Sequence, residues 1–243
     1  MLMLPTMGRP DEVAELIDAY RTCGETAPVH VLIDDAFNPK NKHYYQVDWP
    51  THWKREPFED WRELSNLINS GFRARPDEKT YAFFGDHFRP LTPFAKDLAD
   101  AAGDWFIAWP CDDESSHLQP AGCPTFGGEL IRTMQWIMLP TAIHCCTDRV
   151  WHHIWYRLGI CKHVQHVKFT RTWPVGKGSA VRPLFHGFEI NNHDLEAWQN
   201  WEANQAPQMI ARIRNAMKGA GFEFGSDGRI DPKHGCTPFQ PGW

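Results

Sequence analysis

The sequence predicts one α/β domain built on a mostly parallel central sheet. Two apolar runs without polar alternation, at 2–4 and 29–33, are typical of strands that are buried on both faces. A helical pattern that begins at Asp11 lies between them, and strand, helix and strand in close succession define a unit with parallel strands. A third apolar run, at 81–84, is followed by Gly85 and by polar residues. Three predicted strands therefore lead into polar turns.

The composition is that of an ordinary globular protein. Charged residues make up 23% and apolar residues 42% of the 243 residues, which is enough for a sizeable core. The net charge of −5 disfavours a protein that coats nucleic acid through its overall field. The longest apolar runs are shorter than the roughly 18 residues of a membrane span, and the N-terminal run is too short for a signal peptide. We therefore expect a cytoplasmic protein without a membrane span.

The cysteines and histidines do not follow the spacing of a disulfide scaffold or a zinc site. The seven cysteines are odd in number and contain no Cys-x-x-Cys pair. Thirteen histidines are present, but none belongs to a His-Glu-x-x-His pattern. Cys145 and Cys146 follow His144, and we interpret this pair as packing rather than as a nucleophile.

The remaining elements follow from hydrophobic periodicity and from helix-breaking residues. Residues 38–57 show no clean period and are predicted to form a loop. A helix over 92–102 has Thr92 as its predicted N-cap and Pro93 in its first turn. Further helices are predicted over 59–72, 129–139, 147–158 and 194–219 (the last as one helix or two), strands over 105–109 and 164–172, and an irregular tail after 221.

Three polar turns carry a resemblance to a known family. Residues 4–10 read Leu-Pro-Thr-Met-Gly-Arg-Pro, Asp34 and Asp35 follow the second strand, and Asp86 and His87 follow the third. In this order they resemble the family-2-like glycosyltransferases of the GT-A fold, including enzymes of bacteriophage type. The resemblance implies that residues 1–180 form a GT-A-like (Rossmann-like) domain for nucleotide-sugar binding and catalysis. Residues 181–243 would add a C-terminal helical extension and an irregular tail, packed on the same domain.

The resemblance also implies a reaction and a role for individual residues. The protein would be a hexosyl- or pentosyltransferase that moves a sugar from a nucleotide-sugar, such as a UDP-sugar, to a hydroxyl. Asp148 would be the general base of an inverting transfer, and Asp86 and His87 would bind Mn²⁺ or Mg²⁺. The predicted donor-binding residues are Pro5, Thr6, Arg9, Asp34 (with Asp35 as its alternate), Asp86, Lys168, Arg171 and Lys177. The predicted acceptor-binding residues are Trp109, Asp112, Gly127 and Gly128.

Departures from the family pattern leave alternatives open. His87 stands where the family has a second carboxylate, and imidazole suits Mn²⁺ better than Mg²⁺. Either the metal is held more weakly, or Lys168, Arg171 and Lys177 neutralise part of the diphosphate as fixed cations. Asp148 has the alternative role of a first-turn acid that complements the helix dipole.

The acceptor and the class of function also stay open at this point. A small glycan, a protein or a hydroxylated base in DNA would each supply a hydroxyl. The basic stretch 168–182 favours DNA, whereas the overall negative charge disfavours it. A non-catalytic nucleotide- or sugar-binding module, descended from an enzyme that lost its metal, is the alternative from a different class.

Overall fold

Eight strands and seven α-helices make up the part of the chain that the structure describes. This computed structural model describes residues 1–6, 10–33, 51–54, 64–85, 88–112, 123–143, 146–171 and 188–234. The strands are β1 (Leu2–Thr6), β2 (Val29–Ile33), β3 (Thr51–Lys54), β4 (Thr80–Phe83), β5 (Phe88–Pro90), β6 (Ile107–Asp112), β7 (Thr125–Gly127) and β8 (Cys161–Arg171). The helices are α1 (Pro10–Thr22), α2 (Leu64–Ala74), α3 (Ala95–Ala102), α4 (Gly128–Met134), α5 (Thr147–Leu158), α6 (Phe188–Asn204) and α7 (Ala206–Gly219).

The eight strands join one sheet in the order β3-β2-β1-β4-β7-β6-β8-β5. β1 pairs in parallel with β2 and β4, β2 with β3, and β6 with β8. β7 is antiparallel to both β4 and β6, and β5 is antiparallel to β8. The six strands β1, β2, β3, β4, β6 and β8 therefore point the same way and end at one edge of the sheet, which we call the carboxyl edge. This arrangement confirms the predicted α/β fold with a mostly parallel sheet.

The sheet is covered on both faces, which explains the continuous apolar runs of β1 and β2. Met3 belongs to one buried cluster, which also contains residues of α2, α4, α5 and α7. Leu2 and Leu4 belong to the cluster on the other face, which contains residues of α1 and α3. Trp201 of α6 and Ile213 of α7 lie in the same cluster as Met3, so the C-terminal helices share a core with the sheet. Among the described helices, none has the length and apolarity that crossing a membrane requires.

Three short strands, β3, β5 and β7, were not predicted. β3 lies within 38–57, where we expected a loop, and it pairs with β2 through all four of its residues. β5 pairs with the end of β8, and its Pro90 is tolerated because β5 is an edge strand. Strands of three or four residues are too short to show a period, so periodicity alone does not reveal them.

α3 begins at Ala95, not at residue 92, because its N-terminal cap comes from a distant residue. Oε2 of Glu25 accepts hydrogen bonds from the backbone N–H groups of Phe94 at 3.0 Å and Ala95 at 2.8 Å. Oε1 of Glu25 accepts two more, from Thr26 and Ala27, each at 2.8 Å. The prediction of Thr92 as N-cap is therefore wrong. Its Oγ1 accepts instead the backbone N–H of Lys168 at 3.0 Å.

Replacing Glu25 by Gln is expected to lower the free energy of unfolding by about 2 kcal/mol at neutral pH. Both carboxylate oxygens of Glu25 accept hydrogen bonds, whereas the amide nitrogen of glutamine cannot accept one. Burial raises the pKa of Glu25, but the four backbone donors outweigh it and the pKa lies below its usual 4.5. An acid with a lowered folded pKa stabilises the fold above its unfolded pKa and loses that contribution as pH falls through the folded value. The difference between variant and parent should therefore shrink below pH 4.5.

Urea unfolding across this pH range measures the effect, and Glu15→Gln is the matched control. Glu15 is 72% exposed and pairs with Arg89 at 3.4 Å, so its replacement should change stability by no more than about 0.5 kcal/mol. Equal urea midpoints for the parent and Glu25→Gln at neutral pH would contradict the capping role.

α4 ends at Met134, so the predicted helix over 129–139 was too long. Gln135 adopts a left-handed conformation, with φ of 71°, that terminates the helix. The segment 136–139 is buried without being helical, and Asn69 satisfies part of its backbone. Oδ1 of Asn69 accepts the N–H groups of Ile137 (2.8 Å) and Met138 (3.1 Å), and its Nδ2 donates to the Met138 carbonyl (2.8 Å). The apolar run there reflects burial and not a helical face.

The two later helical predictions agree better with the structure. α5 runs from Thr147 to Leu158 and ends at Gly159, whose φ of 70° is the left-handed conformation that favours glycine. The stretch 194–219 contains two helices, α6 and α7, separated at Gln205, and α6 begins earlier than predicted.

Candidate active site

The carboxyl edge gathers the ends of the strands that carry the resemblance. Pro5 and Thr6 end β1 and pair with Leu32 and Ile33 at the end of β2. β4 lies on the other side of β1, and beyond its last residue the N–H of Phe84 donates to the Met3 carbonyl at 3.1 Å. The ends of β1, β2 and β4 therefore lie side by side. Crevices at such edges are the usual ligand sites of open α/β sheets.

An aromatic cluster fixes the chain where it leaves β4. Phe84 is fully buried, stacks on Phe169 of β8 with ring centroids 5.4 Å apart, and meets Phe94 edge-on at 5.0 Å. Such ring contacts add about 0.5–1.5 kcal/mol each beyond the burial of area. After this anchor, the carbonyl of Gly85 accepts a hydrogen bond from the N–H of Phe88 at 3.1 Å. The position at which the chain leaves β4 is thus set by core packing.

α5 brings Asp148 to the same edge. Trp151, one turn after Asp148, packs against Phe83, the last residue of β4, with ring centroids 5.3 Å apart. The indole N–H of Trp151 donates to the Ile137 carbonyl at 2.6 Å, which ties α5 to the segment held by Asn69. Asp148 itself is exposed in the first turn of the helix. An exposed carboxylate near the end of β4 can accept a proton from a substrate bound there.

The start of α5 is electrostatically unusual. Cys146 precedes the helix in a left-handed conformation with φ of 59°, and its side chain makes no capping hydrogen bond. Burial raises the pKa of the Cys146 thiol; Arg149 lowers it, while Asp148 and Asp194 raise it further. Burial also lowers the pKa of His152, against the opposing effect of Asp148. The charge of Asp148 therefore acts on both neighbours, and the Cys146 thiol is not activated as a nucleophile.

Lys168 lies on β8 near the carboxyl edge. It pairs with Cys111 of β6, after a register shift between Pro110 and Cys111. Val167 and Phe169 belong to the cluster that contains α1 and α3, so the exposed Lys168 points to the opposite side of the strand. That is the side of the sheet that α5 covers.

Other predicted site residues are described in part or not at all. The backbone places Thr6, Asp112 and Arg171 at the ends of β1, β6 and β8, all at the carboxyl edge. The predictions for five further residues lie outside the described residues: Arg9, Asp34, Asp86, His87 and Lys177. Asp35, the alternate for Asp34, also lies outside them.

Trp109 belongs to the core and not to an acceptor platform. Its side chain is 2% exposed and stacks on Trp155 at 4.6 Å and on His163 at 5.3 Å between ring centroids. A ring that is buried between two other rings in the core cannot stack on a bound sugar. The prediction failed because a Trp at the end of an apolar run has the same sequence signature in both roles.

Gly127 and Gly128 lie at the wrong edge for an acceptor site. β7 is antiparallel to β4, and Gly127 pairs with Thr80, the first residue of β4. The two glycines therefore lie at the amino ends of the parallel strands, and both are buried. There is no space for a side chain at Gly127, because a Cβ there would lie 2.2 Å from the backbone carbonyl carbon of Asp104. We remove both glycines from the predicted acceptor site.

Sequence reasoning missed Asp194, a fully buried acid near the start of α5. Its Oδ1 accepts the backbone N–H of Ile143 at 2.7 Å and lies 3.0 Å from Nδ1 of His193. The sequence did contain a signal. Asp194 comes three residues before Ala197 and seven before Trp201, which places it on the apolar side of the helical pattern.

A metal site of three or more His, Cys, Asp or Glu side chains does not occur among the residues that the structure describes. The predicted ligands Asp86 and His87 are not among those residues. A carboxylate with an imidazole is a donor set that fits Mn²⁺ better than Mg²⁺. By its chemistry, the pair is therefore compatible with a manganese ion.

Comparison with known proteins shows which solved structures have a similar fold. No protein-family model and no curated protein sequence matches the chain. Among solved structures, the fold is similar to the mannosyltransferase PcManGT from Pyrobaculum calidifontis in complex with GDP-Man and Mn²⁺, with a TM-score of 0.51 and 11% identity over 90% of this chain and 74% of that one. It is also similar to GalNAc-T7 with UDP, GalNAc and Mn²⁺, with a TM-score of 0.56 and 8% identity over 86% of this chain and 57% of that one.

These likenesses define the class of fold: the chain has the GT-A fold found in nucleotide-sugar-dependent glycosyltransferases. The resemblance seen in the polar turns is thereby confirmed for the fold. Nothing in the comparisons supports a bacteriophage origin.

Proposed function

We propose that the protein is a glycosyltransferase that moves a sugar from a nucleotide-sugar to a hydroxyl acceptor with inversion. The main support for the proposal is the arrangement of residues at the carboxyl edge. There the ends of β1, β2 and β4 lie side by side, and α5 presents an exposed Asp148 one turn before Trp151, which packs on the end of β4. In sequence, the Pro-Thr-x-x-Arg-Pro motif begins within β1 at Pro5, and the acids at 34 and 86 come after β2 and β4.

In the proposed reaction, the acceptor hydroxyl attacks the anomeric carbon from the side opposite the leaving diphosphate. The new bond joins the acceptor oxygen to the anomeric carbon, the acceptor proton passes to Asp148, and the bond between carbon and diphosphate oxygen breaks with its electrons on the diphosphate. Lys168, on the side of the sheet that α5 covers, supplies positive charge toward the diphosphate. Asp86 and His87 would hold the divalent cation, which neutralises charge on the leaving group when bound.

Donor binding and turnover test this proposal directly. Calorimetry with UDP, GDP and their sugars in the presence of Mn²⁺ should show binding of at least one nucleotide, and removal of the cation should weaken that binding. Mn²⁺ is expected to support binding better than Mg²⁺, because one predicted ligand is an imidazole. Mass spectrometry then measures sugar transfer to a panel of glycans, and NMR of the new anomeric centre reports inversion.

Each outcome has a defined meaning. If no nucleotide binds in the presence of Mn²⁺ or of Mg²⁺, the glycosyltransferase proposal is wrong. Binding without hydrolysis or transfer for any donor would favour the non-catalytic nucleotide- or sugar-binding module instead.

A further inference from the structure

A buried carboxylate holds the chain just before the proposed general base. Asp194 of α6 is 0% exposed, and its Oδ1 accepts the Ile143 N–H at 2.7 Å. Burying a carboxyl group is costly unless hydrogen bonds compensate it, so the fold favours the conformation in which the Ile143 N–H reaches Asp194. The contact joins α6 to residues that are 51 positions away in sequence.

The carbonyl side of Ile143 is held as well. The backbone N–H of Ser65, in the first turn of α2, donates to the Ile143 carbonyl at 3.3 Å, and Ser65 is fully buried. Both polar groups of Ile143 are thus bonded to different helices. α5 begins at Thr147, and its first turn meets α6 directly, because the guanidinium carbon of Arg149 lies 5.3 Å from the ring centroid of Trp198. The start of α5 therefore lies against α6, the helix that carries Asp194.

Asp194 also acts electrostatically on Cys146, the residue that precedes α5. Asp148 and Asp194 both raise the pKa of the Cys146 thiol, after the larger effect of burial. The two carboxylates thus act on the same group, one exposed and one buried. Asp148 is the residue that faces solvent, whereas Asp194 is the one bonded to backbone.

We infer that Asp194 is a positioning residue: through Ile143 it fixes the start of α5 and so the place of the Asp148 carboxylate at the carboxyl edge. The inference rests on the proposed function, since it gives Asp194 a role in the step that Asp148 performs. It also goes beyond that function, because it makes the C-terminal helical segment responsible for the position of the proposed general base.

Asp194→Ala is expected to lower kcat for sugar transfer by about 10- to 100-fold, because displacement of a catalytic group by about 1 Å costs rates of that order. The KM for the nucleotide-sugar should stay within about twofold of the parent value, because the donor-binding strands do not involve α6. Hydrogen exchange followed by mass spectrometry should show faster exchange of the Ile143 amide. Asp194→Asn keeps an oxygen acceptor for that amide and should restore most of kcat and of the amide protection.

His193→Gln is the matched control. Nδ1 of His193 lies 3.0 Å from Oδ1 of Asp194, but the acceptor of the Ile143 N–H is Asp194 itself, so replacement of His193 should leave both kcat and Ile143 protection near the parent values. A parent-like kcat in a folded Asp194→Ala protein with fast Ile143 exchange would overturn the inference. If Asp194→Ala does not fold, Asp194→Asn decides: a large loss of kcat with Ile143 still protected would show a role for charge and not for positioning.

Failure of the inference and failure of the proposed function give different results. If the parent transfers no sugar from any donor, the proposed function fails, and the Ile143 exchange rate still reports on the contact. If the parent is active and Asp194→Ala is equally active, only the positioning role fails.

Discussion

Asp148→Asn is expected to lower kcat for sugar transfer by about 10²- to 10⁴-fold, which is the range that general-base catalysis contributes. The amide has nearly the same shape but cannot take the acceptor proton. Because the proposed donor site is at the strand ends and not on the first turn of α5, the affinity for the nucleotide should change little. Single-turnover transfer assays and calorimetric titration of the nucleotide measure the two quantities separately.

The competing role for Asp148 is purely structural. A first-turn acid complements the helix dipole, and its loss costs about 0.3–1 kcal/mol of stability. Glu129 is the matched control, since it is also a first-turn acid but begins α4 at the opposite edge of the sheet, where it pairs with Arg132 at 3.0 Å. Glu129→Gln should show the small stability change without the loss of kcat. If Asp148→Asn behaves like Glu129→Gln, Asp148 is not the base.

The fold was predictable to the extent that burial leaves a local pattern. β1, β2 and β4 are continuous apolar runs because both faces of the sheet are covered, and α5 ends at Gly159 as expected. Long-range hydrogen bonds decided the elements that were mispredicted. Glu25 sets the start of α3 from 69 residues away, and Asn69 supports a buried non-helical segment 68 residues further on. Neither contact leaves a signal in the local sequence.

The candidate site was predictable where strand direction alone determines position. Pro5 and Lys168 lie near the carboxyl edge, as expected for residues toward the ends of parallel strands. Gly127 was misplaced because nothing in three residues of sequence reveals that β7 runs antiparallel. Trp109 was misassigned because exposure of a Trp depends on α5 and β8, which are distant in sequence. The acid Asp194 was overlooked because its partner is a backbone amide.

Gly128→Ala is expected to destabilise the fold by at least about 3 kcal/mol, because there is no space for a side chain at the start of α4. A Cβ at this position would lie 2.3 Å from the carbonyl oxygen of Glu78 and 2.7 Å from that of Lys79. Both are backbone atoms, so a rotamer change cannot relieve the contact. The N–H of Gly128 also donates to the Lys79 carbonyl at 2.7 Å, which prevents the helix from moving away without losing that bond.

Gly219→Ala separates this steric effect from the general effect of replacing a helical glycine. Gly219 ends α7 and is exposed, and a Cβ added there would meet no neighbouring atom within 4 Å, so alanine should be neutral or stabilising by up to about 1 kcal/mol. Urea midpoints of the two variants measure the contrast. A Gly128→Ala protein that unfolds with the parent midpoint but shows a raised KM for the acceptor would reinstate Gly128 in the acceptor site. Loss of stability would instead assign this glycine to the packing of α4 against the start of β4, at the edge of the sheet opposite to the proposed chemistry.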